Sequence, residues 1–483
     1  MTADKDAMER ARKAYKERAF DRAAAAFREA LERAPDDLAA LFGLGNALLE
    51  ARHDADALAP LERAAEVAPG NADVRNSLGI AYRRLKRYRE AIPHLEAAAE
   101  AYPDRAGILT NLANAYRADH RLREATLAYR RALDRDDRFT EACFGLGTTH
   151  RMAGRLAEAK TMLDRALTLD PAHADARFSR ALLYLEQGNF IFGFADYEHR
   201  WASSDFPGRR IAGAEWQGED LDGKTILVHA EQGIGDTIQF ARFIPALAAR
   251  GARVVAYVQP DLASLVATVA GVAEVVPAGA EPPPYNYYVA VMSLPYHLGT
   301  IPATIPATVP YLSAPAGTAD ALASLLPPDS DDIRVGLVWA GRAIHSNDRH
   351  RSCRLQDLLP VLEAPGVSFF GLQKDPRPED DAHLSRVSDL APHLTDFGVT
   401  AAVMDRLDLV VSVDSAPAHL AGALGRPVWL ILPYRAEWRW ALAAETSPWY
   451  PTMRIARQSA PGDWAALAER LQKSLRQVPR RTA

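Results

Sequence analysis

The sequence has little of what marks an extracellular, metal-binding or membrane-spanning protein. Its two cysteines, Cys143 and Cys353, lie far apart and offer neither a disulfide framework nor the paired spacing of a zinc site. No apolar run approaches the roughly 20 residues that cross a bilayer. The N-terminal stretch is a charged amphipathic pattern without the apolar segment of a signal peptide. These absences predict a cytoplasmic protein with no membrane span.

The balance of charge excludes further classes of partner. A formal net charge of −5, with 25% charged and 48% hydrophobic residues, is typical of globular proteins. Neither sign of charge dominates, so nothing indicates a nucleic acid or a membrane surface as partner. At 483 residues the chain is too long for one ordinary core, and we therefore expect several domains.

What the first part of the chain does have is an internal repeat with a period of 34 residues. Five columns keep that period: Pro35, Pro69, Pro103 and Pro171; Ala23, Ala57, Ala91, Ala125 and Ala159; Ala30, Ala64, Ala98, Ala132 and Ala166; Phe27, Leu61, Leu95, Tyr129 and Leu163; Gly45, Gly79 and Gly147. Small residues let paired helices approach, large residues fill the space between them, and proline ends the second helix. The pattern resembles the tetratricopeptide repeat (TPR), with five full units. A degenerate sixth, ending near residue 200, is expected to cap the solenoid or dock onto the next domain.

Solenoids of this family present a concave face that is lined by the first helix of each repeat and binds peptides or proteins. Asn46, Asn76 and Asn114 fall in first helices, as does Asn111. The first three can hydrogen-bond the backbone of an extended protein acceptor, although each can equally be an ordinary solvated helix residue. Because such repeats often self-associate, a homo-oligomer is a further alternative.

After residue 200 the pattern changes to strands that alternate with helices. Segments such as KTILVHA, RVVAYVQ and DLVVSVD are β-branched runs, each followed by a loop and a helical pattern. This alternation predicts mostly parallel, doubly wound sheets. Proline-rich tracts from residue 281 and over 301–315 break it, so we expect two facing Rossmann-like domains, 201–315 and 316–483. Ligands should bind beyond the carboxyl ends of their strands.

One strand–loop–helix stretch, VSVDSAPAHLAGALG, carries Asp414, Ser415 and His419 within six positions. A hydrolase triad is one interpretation, but a nucleophilic serine elbow needs glycine on both flanks, where this chain has Val413 and Pro417. The other interpretation is an anion site, because Pro417 suits the first turn of a helix whose backbone N–H groups and dipole attract phosphate. We favour the second interpretation.

This stretch belongs to a set that resembles the heptosyltransferase-like glycosyltransferases. The other members are HAEQGIGDTIQFARFIPAL, VWAGRAIHSNDRHRS, LILPYRAEWRW and SPWYPTMRIARQ. Residues 185–460 more closely resemble a bacterial group that fuses such a half to tetratricopeptide repeats, the TPR-type flagellin glycosyltransferases. The resemblance implies an N-terminal TPR α-solenoid followed by a GT-B fold of two facing Rossmann-like domains. It also implies a nucleotide-sugar donor as substrate, with no cofactor and no metal.

The resemblance assigns roles to loops at the ends of strands. Asp236 matches a proposed general base that deprotonates the acceptor hydroxyl, although Asp at a helix N-terminus is also a common cap. Gly233 and Gly235 allow the tight loop that precedes it. Lys374 matches a lysine that stabilises the departing phosphate, with an ordinary surface lysine as the alternative.

Further donors are expected around the nucleotide sugar. In the loop GRAIHSNDRHRS, Arg351 and Ser352 are expected to contact phosphate and Asn347 to hold the loop or the sugar, unless the loop is simply solvated. Arg439 is expected to be a phosphate ligand or a cation–π partner. Nearby aromatic residues can stack a nucleobase, close the acceptor side, or pack a loop against a domain edge: Tyr434, Trp438, Trp440, Trp449 and Tyr450.

These patterns predict a cytoplasmic protein O-glycosyltransferase. The repeats would select a protein acceptor, and the second half would transfer a sugar from a nucleotide to a Ser or Thr hydroxyl. The resembling group suggests flagellin as the acceptor and a nonulosonic acid such as pseudaminic acid, carried on CMP, as the sugar. Two alternatives stay open: a non-catalytic scaffold that binds a nucleotide sugar, and an enzyme that acts on a polysaccharide or lipid-linked sugar.

Overall fold

The computed structural model describes residues 5–203, 206, 211–318, 326, 332–342, 348–441 and 444–476. The chain forms two compact units, Met1–Leu183 with Ala202–Ser204, and Tyr184–Trp201 with Asp205–Ala483. The segment Tyr184–Trp201, which we expected to end the repeats, therefore lies in the second unit. Among the described residues, no helix combines the length and the apolar character needed to cross a membrane.

The first unit is a succession of helix pairs, each pair one 34-residue repeat, and this confirms the predicted solenoid. The first helix of each pair is packed against its second helix and against the next pair. The helices are α1 (Lys5–Lys16), α2 (Phe20–Arg33), α3 (Leu38–Glu50), α4 (Leu58–Val67), α5 (Ala72–Arg84), α6 (Tyr88–Ala101), α7 (Ala106–Ala118), α8 (Leu122–Arg135), α9 (Thr140–Met152), α10 (Leu156–Leu169) and α11 (Ala174–Glu186). The last of these crosses into the second unit.

The periodic columns of the sequence are the contacts between these helices. Every alanine in the two alanine columns is fully buried. The glycine column lies against the column of large residues: a Cβ atom on Gly45 would lie 2.4 Å from Leu61 Cγ, and one on Gly79 would lie 2.5 Å from Leu95 Cγ. Because protein interiors are close-packed, each glycine sets how closely its helix approaches the next.

Replacing Gly79 with alanine should destabilise the first unit, although alanine is the better helix former. The added methyl group would meet the fully buried Leu95, and overpacking of this kind costs about 1–3 kcal/mol, against a gain of about 1 kcal/mol in helix propensity. Gly107 in α7 is the matched control, since among the described atoms nothing lies within 4 Å of its would-be Cβ. In urea unfolding, Gly107→Ala should have the higher free energy of unfolding and Gly79→Ala the lower. The opposite order would contradict this packing.

The second unit contains two sheets in which all described strand pairs are parallel. The first sheet has the order β1-β5-β2-β3-β4 and the second the order β11-β10-β9-β6-β7-β8. The strands are β1 (Ala214–Glu215), β2 (Thr225–His229), β3 (Arg253–Val258), β4 (Val272–Pro277), β5 (Tyr287–Ala290), β6 (Ile333–Val338), β7 (Val367–Gly371), β8 (Ser388–Asp389), β9 (Leu409–Val413), β10 (Val428–Leu432) and β11 (Met453–Arg457). Two parallel α/β sheets confirm the predicted fold class and are consistent with GT-B. The predicted division at residues 315 and 316 falls between them.

The described helices of the second unit are mostly shorter than those of the repeats. They are α12 (Phe190–Tyr197), α13 (Ile234–Phe240), α14 (Ile244–Ala248), α15 (Ala263–Val266), α16 (Leu294–His297), α17 (Asp348–Arg351), α18 (Leu359–Leu362), α19 (Phe397–Met404), α20 (Ala416–Ala423) and α21 (Trp464–Leu475). The helical pattern that follows β2 and its loop, TIQFARFIPALAARG, is divided by a 3₁₀ turn at Ala241–Phe243. Pro245 lies in the first turn of α14, where its missing N–H group is tolerated, and it cannot continue a preceding helix.

The first proline-rich tract conceals a strand that the sequence pattern does not predict. β5 begins shortly after three prolines and pairs with β2 on one side and β1 on the other. Because the prolines end before the strand begins, every residue of β5 retains its backbone N–H for the ladder. The expectation of an interruption from residue 281 is therefore wrong for residues 287–290.

In both sheets the order of the strands reverses beside a central strand. The reversal lies between β2 and β5 in the first sheet and between β6 and β9 in the second. At such a switch point the connections leave in opposite directions, which opens a crevice at the carboxyl ends of the strands. The loops after β2, β6 and β9 therefore flank the crevices, and they carry most of the predicted site residues.

The end of the degenerate repeat packs inside the second unit, against residues beyond β10. Phe190 stacks on Trp449 with ring centroids 5.8 Å apart, and Phe194 meets Trp438 edge-on at 5.9 Å. Phe190 and Phe194 are both buried. Of the two expectations for the last repeat, docking onto the following domain is thus the one that the structure confirms.

Candidate functional site

A buried arginine fills the switch point of the first sheet. Arg200 is fully buried and donates two hydrogen bonds to the Glu231 carboxylate beyond β2, at 2.6 and 2.9 Å. It donates a third to Ser293 Oγ beyond β5, at 2.9 Å, and a fourth to Glu198 at 3.0 Å. Glu231 also accepts from the backbone N–H of Met292 at 3.1 Å. The ion pair therefore fills this crevice with protein side chains. It also fixes Glu231, the first residue of the loop EQGIGD.

Sequence reasoning missed this ion pair. In the sequence, an arginine near the end of a repeat cannot be told from a surface arginine. The glycines after Glu231 predict a loop, and that prediction gave no role to Glu231 itself. The only available signal was the position of Glu231, which comes two residues after a buried strand at the place where switch-point ligands lie.

Removing one partner of this ion pair should destabilise the second unit more than removing both. Glu231→Gln removes the buried counter-charge of the guanidinium group and leaves it with the carboxylate of Glu198, which costs up to about 3–5 kcal/mol, whereas the double change Arg200→Met with Glu231→Leu should recover part of the loss. The exposed pair of Arg253 and Glu274, 2.6 Å apart, is the control, and Glu274→Gln should change stability by about 1 kcal/mol or less. The test is the free energy of unfolding in denaturant, measured for the wild type and for each of these variants. Equal losses for Glu231→Gln and Glu274→Gln would rule out a structural role for the buried pair.

Asp236 lies in the first turn of α13 and uses both carboxylate oxygens. Its Oδ2 accepts a hydrogen bond from the backbone N–H of Gly233 at 2.8 Å, which confirms its role as a helix cap. Its Oδ1 accepts from Arg439 Nη2 at 2.5 Å. The side chain remains 20% exposed, so an incoming hydroxyl can reach it. Its role as general base stays a prediction, compatible with this geometry.

Arg439 brings the second sheet to Asp236. It lies in the 3₁₀ turn Trp438–Trp440 beyond β10 and is 9% exposed. Its Nε donates to Gln239 Oε1 at 2.6 Å and its Nη1 donates to Glu437 Oε1 at 2.5 Å. Burial lowers the pKa of Arg439, but the carboxylates of Glu437 and Asp236 outweigh it and keep the group charged. The guanidinium carbon lies 4.5 Å from the Trp438 ring centroid, which confirms the cation–π alternative, while contact with phosphate stays a prediction.

The loop after β9 forms the strand-to-helix turn that the sequence predicts. Ser415 is the N-terminal cap residue of α20, and Pro417 lies in the first turn. The Ser415 hydroxyl is 3.0 Å from Ser412 Oγ. Burial raises the pKa of Asp414, against the opposing charges of Arg351 and Arg439. The first turn of α20 therefore begins beside the charges of two arginines.

His419 contacts the loop that carries Asp236. A Cβ atom on Gly235 would lie 2.9 Å from His419 Cδ2, so the absence of a side chain at Gly235 lets the two loops meet. His419 Nδ1 is 2.9 Å from the Tyr450 hydroxyl, an arrangement that excludes a Ser–His pair with Ser415 through this nitrogen. Burial, with the charges of Arg439, Arg242 and Arg351, lowers the pKa of His419 well below its usual value. The imidazole is therefore neutral.

The loop after β6 is described in part. Asn347 lies outside the described residues. Ser352 is buried, and its hydroxyl donates to Asp348 Oδ1 at 2.7 Å and accepts from the backbone N–H of Gly341 at 2.9 Å. The Arg351 guanidinium lies over Gly341, where a Cβ atom would be 2.4 Å from Nη2, and its Nε is 3.8 Å from Asp348. Ser352 thus holds the loop, the Arg351 cation lies near the carboxylates of Asp348 and Asp414, and the phosphate contacts of both stay predictions.

Lys374 and Tyr434 lie away from the switch point. Lys374 is exposed and follows β7, one strand removed from the crevice between β6 and β9. Its neighbour Gln373 is buried and accepts from the backbone N–H of Ala340 at 2.9 Å. Tyr434 is 48% exposed, whereas the other four aromatic residues of this region are buried packing groups. The roles assigned to Lys374 and Tyr434 stay predictions.

A second buried arginine joins the two sheets beneath these loops, and sequence reasoning missed it too. Arg242, between α13 and α14, donates to the backbone oxygen of Trp449 at 2.5 Å and to the Tyr311 hydroxyl at 2.9 Å. Its guanidinium carbon lies 4.6 Å from the Tyr450 ring centroid. A cation inside the apolar run QFARFI is the signal that marks it. We call residues 233–236, 414–419 and 437–439, with Arg351, the inter-sheet site.

The inter-sheet site gathers charges of both signs. The carboxylates of Asp236, Asp414 and Glu437 lie among the guanidinium groups of Arg351 and Arg439. Guanidinium groups beside a helix N-terminus are suited to phosphate, and carboxylates are suited to accepting a proton. Within the described ranges, no three His, Cys, Asp or Glu side chains are grouped to hold a metal ion. The expectation of a metal-free reaction stays a prediction.

In the first unit two of the three predicted asparagines link neighbouring first helices. Asn46 Oδ1 accepts from Ser77 Oγ at 2.8 Å, and Asn76 Oδ1 accepts from Asn111 Nδ2 at 2.9 Å. Asn114, on α7, accepts from the Tyr129 hydroxyl of α8 in the same repeat at 2.6 Å, and all three predicted residues are half-buried. Asn46 and Asn76 therefore form part of a polar network between repeats. Their binding of an acceptor stays a prediction.

A column of arginines that sequence reasoning missed follows the asparagines. Arg83, Arg117 and Arg151 occur at the 34-residue period in the last turns of α5, α7 and α9. Arg117 donates to Asn114 Oδ1 at 3.3 Å. Burial lowers the pKa of Arg83, and the charges of Arg84 and Arg117 lower it further. The period itself was the signal that would have found this basic column.

Comparisons with known proteins agree with this division. Three regions match tetratricopeptide repeat models, at residues 14–81, 70–138 and 144–190. Residues 357–445 match the model of glycosyltransferase family 9 (heptosyltransferase), and this region includes the loop after β9 and Arg439.

One curated relative and several solved structures are similar to the chain. Protein FlbA of Caulobacter vibrioides is 29% identical over 334 residues, which are 62% of this chain and 54% of that protein, so the chain matches about half of its relative's length. MamA 41-end from Desulfovibrio magneticus RS-1 is 20% identical and covers 35% of this chain and 96% of its own, with a TM-score of 0.33. TTC0263, a thermophilic TPR protein in Thermus thermophilus, is 23% identical and covers 37% and 98%, with a TM-score of 0.33. The chain therefore joins tetratricopeptide repeats to a domain that matches glycosyltransferase family 9, as its motifs predict.

Proposed function

We propose that the chain is a protein O-glycosyltransferase that uses a nucleotide-sugar donor. The observation that carries the proposal is the meeting of two loops from different sheets. Asp236 is bonded to Arg439 at 2.5 Å, and Gly235 packs against His419 in the helix after β9. A carboxylate suited to proton abstraction and a helix N-terminus suited to phosphate therefore share one site.

The donor phosphate is proposed to bind at the start of α20. The first turn of α20 carries the positive end of the helix dipole, and the Arg351 cation acts on Asp414, which directly precedes that helix start. The neighbouring crevice in the first sheet is filled by Arg200 and Glu231, which leaves the crevice between β6 and β9 for the ligand. Lys374 and Tyr434 are proposed to contact the donor from the rim of the second sheet.

In the proposed reaction the acceptor hydroxyl oxygen forms a bond to the anomeric carbon of the sugar. The hydroxyl proton passes to Asp236, and the bond from the anomeric carbon to the phosphate oxygen breaks with its electron pair. The leaving nucleotide carries that charge away. Arg351, Lys374 and the first turn of α20 are proposed to stabilise it, so the reaction is proposed to require no metal ion.

The acceptor is proposed to be a protein held by the repeats. The half-buried asparagines and the arginine column along the first helices supply hydrogen-bond donors and positive charge at a regular spacing. Flagellin as the acceptor, and a nonulosonic acid carried on CMP as the donor, follow from the resemblance to the TPR-type flagellin glycosyltransferases.

The test is to incubate the full chain with candidate flagellins and a panel of nucleotide sugars, and to measure the intact mass of the acceptor. Asp236→Asn should reduce transfer by about 10²–10⁴-fold while donor binding, measured by calorimetry, is unchanged. Asp261→Asn, at an exposed aspartate of the same sheet, is the control and should transfer at the wild-type rate. Normal transfer by Asp236→Asn would remove it from the mechanism. Donor binding without transfer to any acceptor would favour the scaffold alternative.

The repeats should contribute acceptor binding alone. In the triple variant Asn46→Ala, Asn76→Ala and Asn114→Ala, we expect the KM for the protein acceptor to rise at least about 10-fold, because several backbone hydrogen bonds are lost together. Hydrolysis of the donor without acceptor should continue at the wild-type rate. An unchanged KM would place the acceptor elsewhere, and efficient transfer to a saccharide in place of a protein would favour the polysaccharide alternative.

A further inference from the structure

Arg439 is shared between two carboxylates that come from different sheets. Its Nη1 donates to Glu437 Oε1 and its Nη2 donates to Asp236 Oδ1, both at 2.5 Å. Its Nε donates to Gln239 Oε1, one turn after Asp236 on α13, and thereby fixes the plane of the guanidinium group. A single cation thus compensates two anions, and the charge of one carboxylate determines how strongly the other is held.

Both carboxylate oxygens of Glu437 accept hydrogen bonds from Arg439. Its Oε2 accepts the backbone N–H of Arg439 at 3.2 Å, which caps the 3₁₀ turn, while its Oε1 binds the side chain of the same arginine. The side chain is partly buried, with 36% of it exposed, so it is largely desolvated while protons still reach it from solvent.

We propose that Glu437 is a positioning residue of the transfer reaction, which holds Arg439 on Asp236 and sets how strongly the Asp236 carboxylate accepts a proton. This inference rests on the proposed function, in which Asp236 is the base. When Glu437 is ionised, it takes a share of the Arg439 charge and leaves Asp236 the better base. When Glu437 is protonated, Arg439 neutralises Asp236 alone and weakens it.

The groups that face Glu437 determine where it titrates. Burial raises the pKa of Glu437 to about 7, Arg439 opposes this, and the negative charge of Asp414 at the end of β9 adds to it. From α13, Asp236 acts through the shared guanidinium group. The ionisation of Glu437 therefore falls in the range where the enzyme would be assayed.

The test is the pH dependence of kcat/KM between about pH 6 and 8 for the wild type and Glu437→Gln. The amide retains an oxygen for Arg439 Nη1 but carries no charge. The wild-type rate should rise through about pH 7 as Glu437 ionises. The variant should lack this inflection and remain about 10-fold slower than the wild type above about pH 7.5, with the KM for the donor changed less than about 2-fold. Glu445→Gln, at an exposed glutamate of the same sheet, should keep the wild-type profile.

A purely structural role would give a different result. The rate of Glu437→Gln would then fall by one factor at every pH and the inflection would persist, and that outcome would overturn the proposal, as would a full wild-type rate. If the wild type itself transfers no sugar, the proposed function fails instead.

Glu437 can be tested without turnover, through protein stability. Because its pKa is raised in the folded state, its stabilising contribution is complete below its ordinary pKa near 4.5 and is lost as the pH rises through about 7. The unfolding midpoint of the wild type should therefore fall, relative to Glu437→Gln, between about pH 5 and pH 7.5. A constant difference between the two proteins would show that Glu437 does not titrate in this range.

Discussion

The second unit depends on the cost of burying a cation. Removing a guanidinium group from water costs several kcal/mol unless carboxylates and carbonyl groups surround it. Arg439 is 9% exposed and lies beyond β10 of the second sheet. Two of its side-chain partners, Asp236 and Gln239, come from the helix that follows β2 in the first sheet. Arg242 makes the converse connection, from the first sheet to the backbone of Trp449. The sheets are therefore held in register at the place where their loops meet.

Much of this fold follows from periodicity in the sequence. Gly45 and Gly79 keep the 34-residue period because each glycine packs against a large residue of the paired helix. Most strands are apolar runs, and buried parallel strands require this composition. β5 was missed because three prolines precede it, and a local pattern cannot show that they end before a strand near the sheet centre. Helix lengths were overestimated where Pro245 interrupts an apolar periodicity.

Site residues at strand ends could be predicted from the sequence. Residues whose role comes from a contact with a residue in another loop could not. Asp414 and Asp236 were found because carboxyl ends of parallel strands share an edge of the sheet. Arg200, Glu231 and Glu437 were not found, since their roles arise from contacts between residues that lie in different loops. Arg439 is 203 positions from Asp236, and no spacing rule joins them. Lys374 also follows a strand end, but β7 is one strand removed from the switch point and the side chain is exposed, so its role stays a prediction.

The two sheets differ at their switch points. In the first sheet, Arg200 fills the crevice and holds Glu231, the first residue of the loop EQGIGD, so Asp236 is presented from a fixed frame. In the second sheet, the start of α20 has the positive end of its dipole beside Arg351. In the proposed reaction a fixed frame favours the base, because a displacement of about 1 Å can cost about 10²-fold in rate, and positive charge favours the leaving phosphate. The segment that ends the repeats supplies Arg200 and is therefore what distinguishes the two sheets.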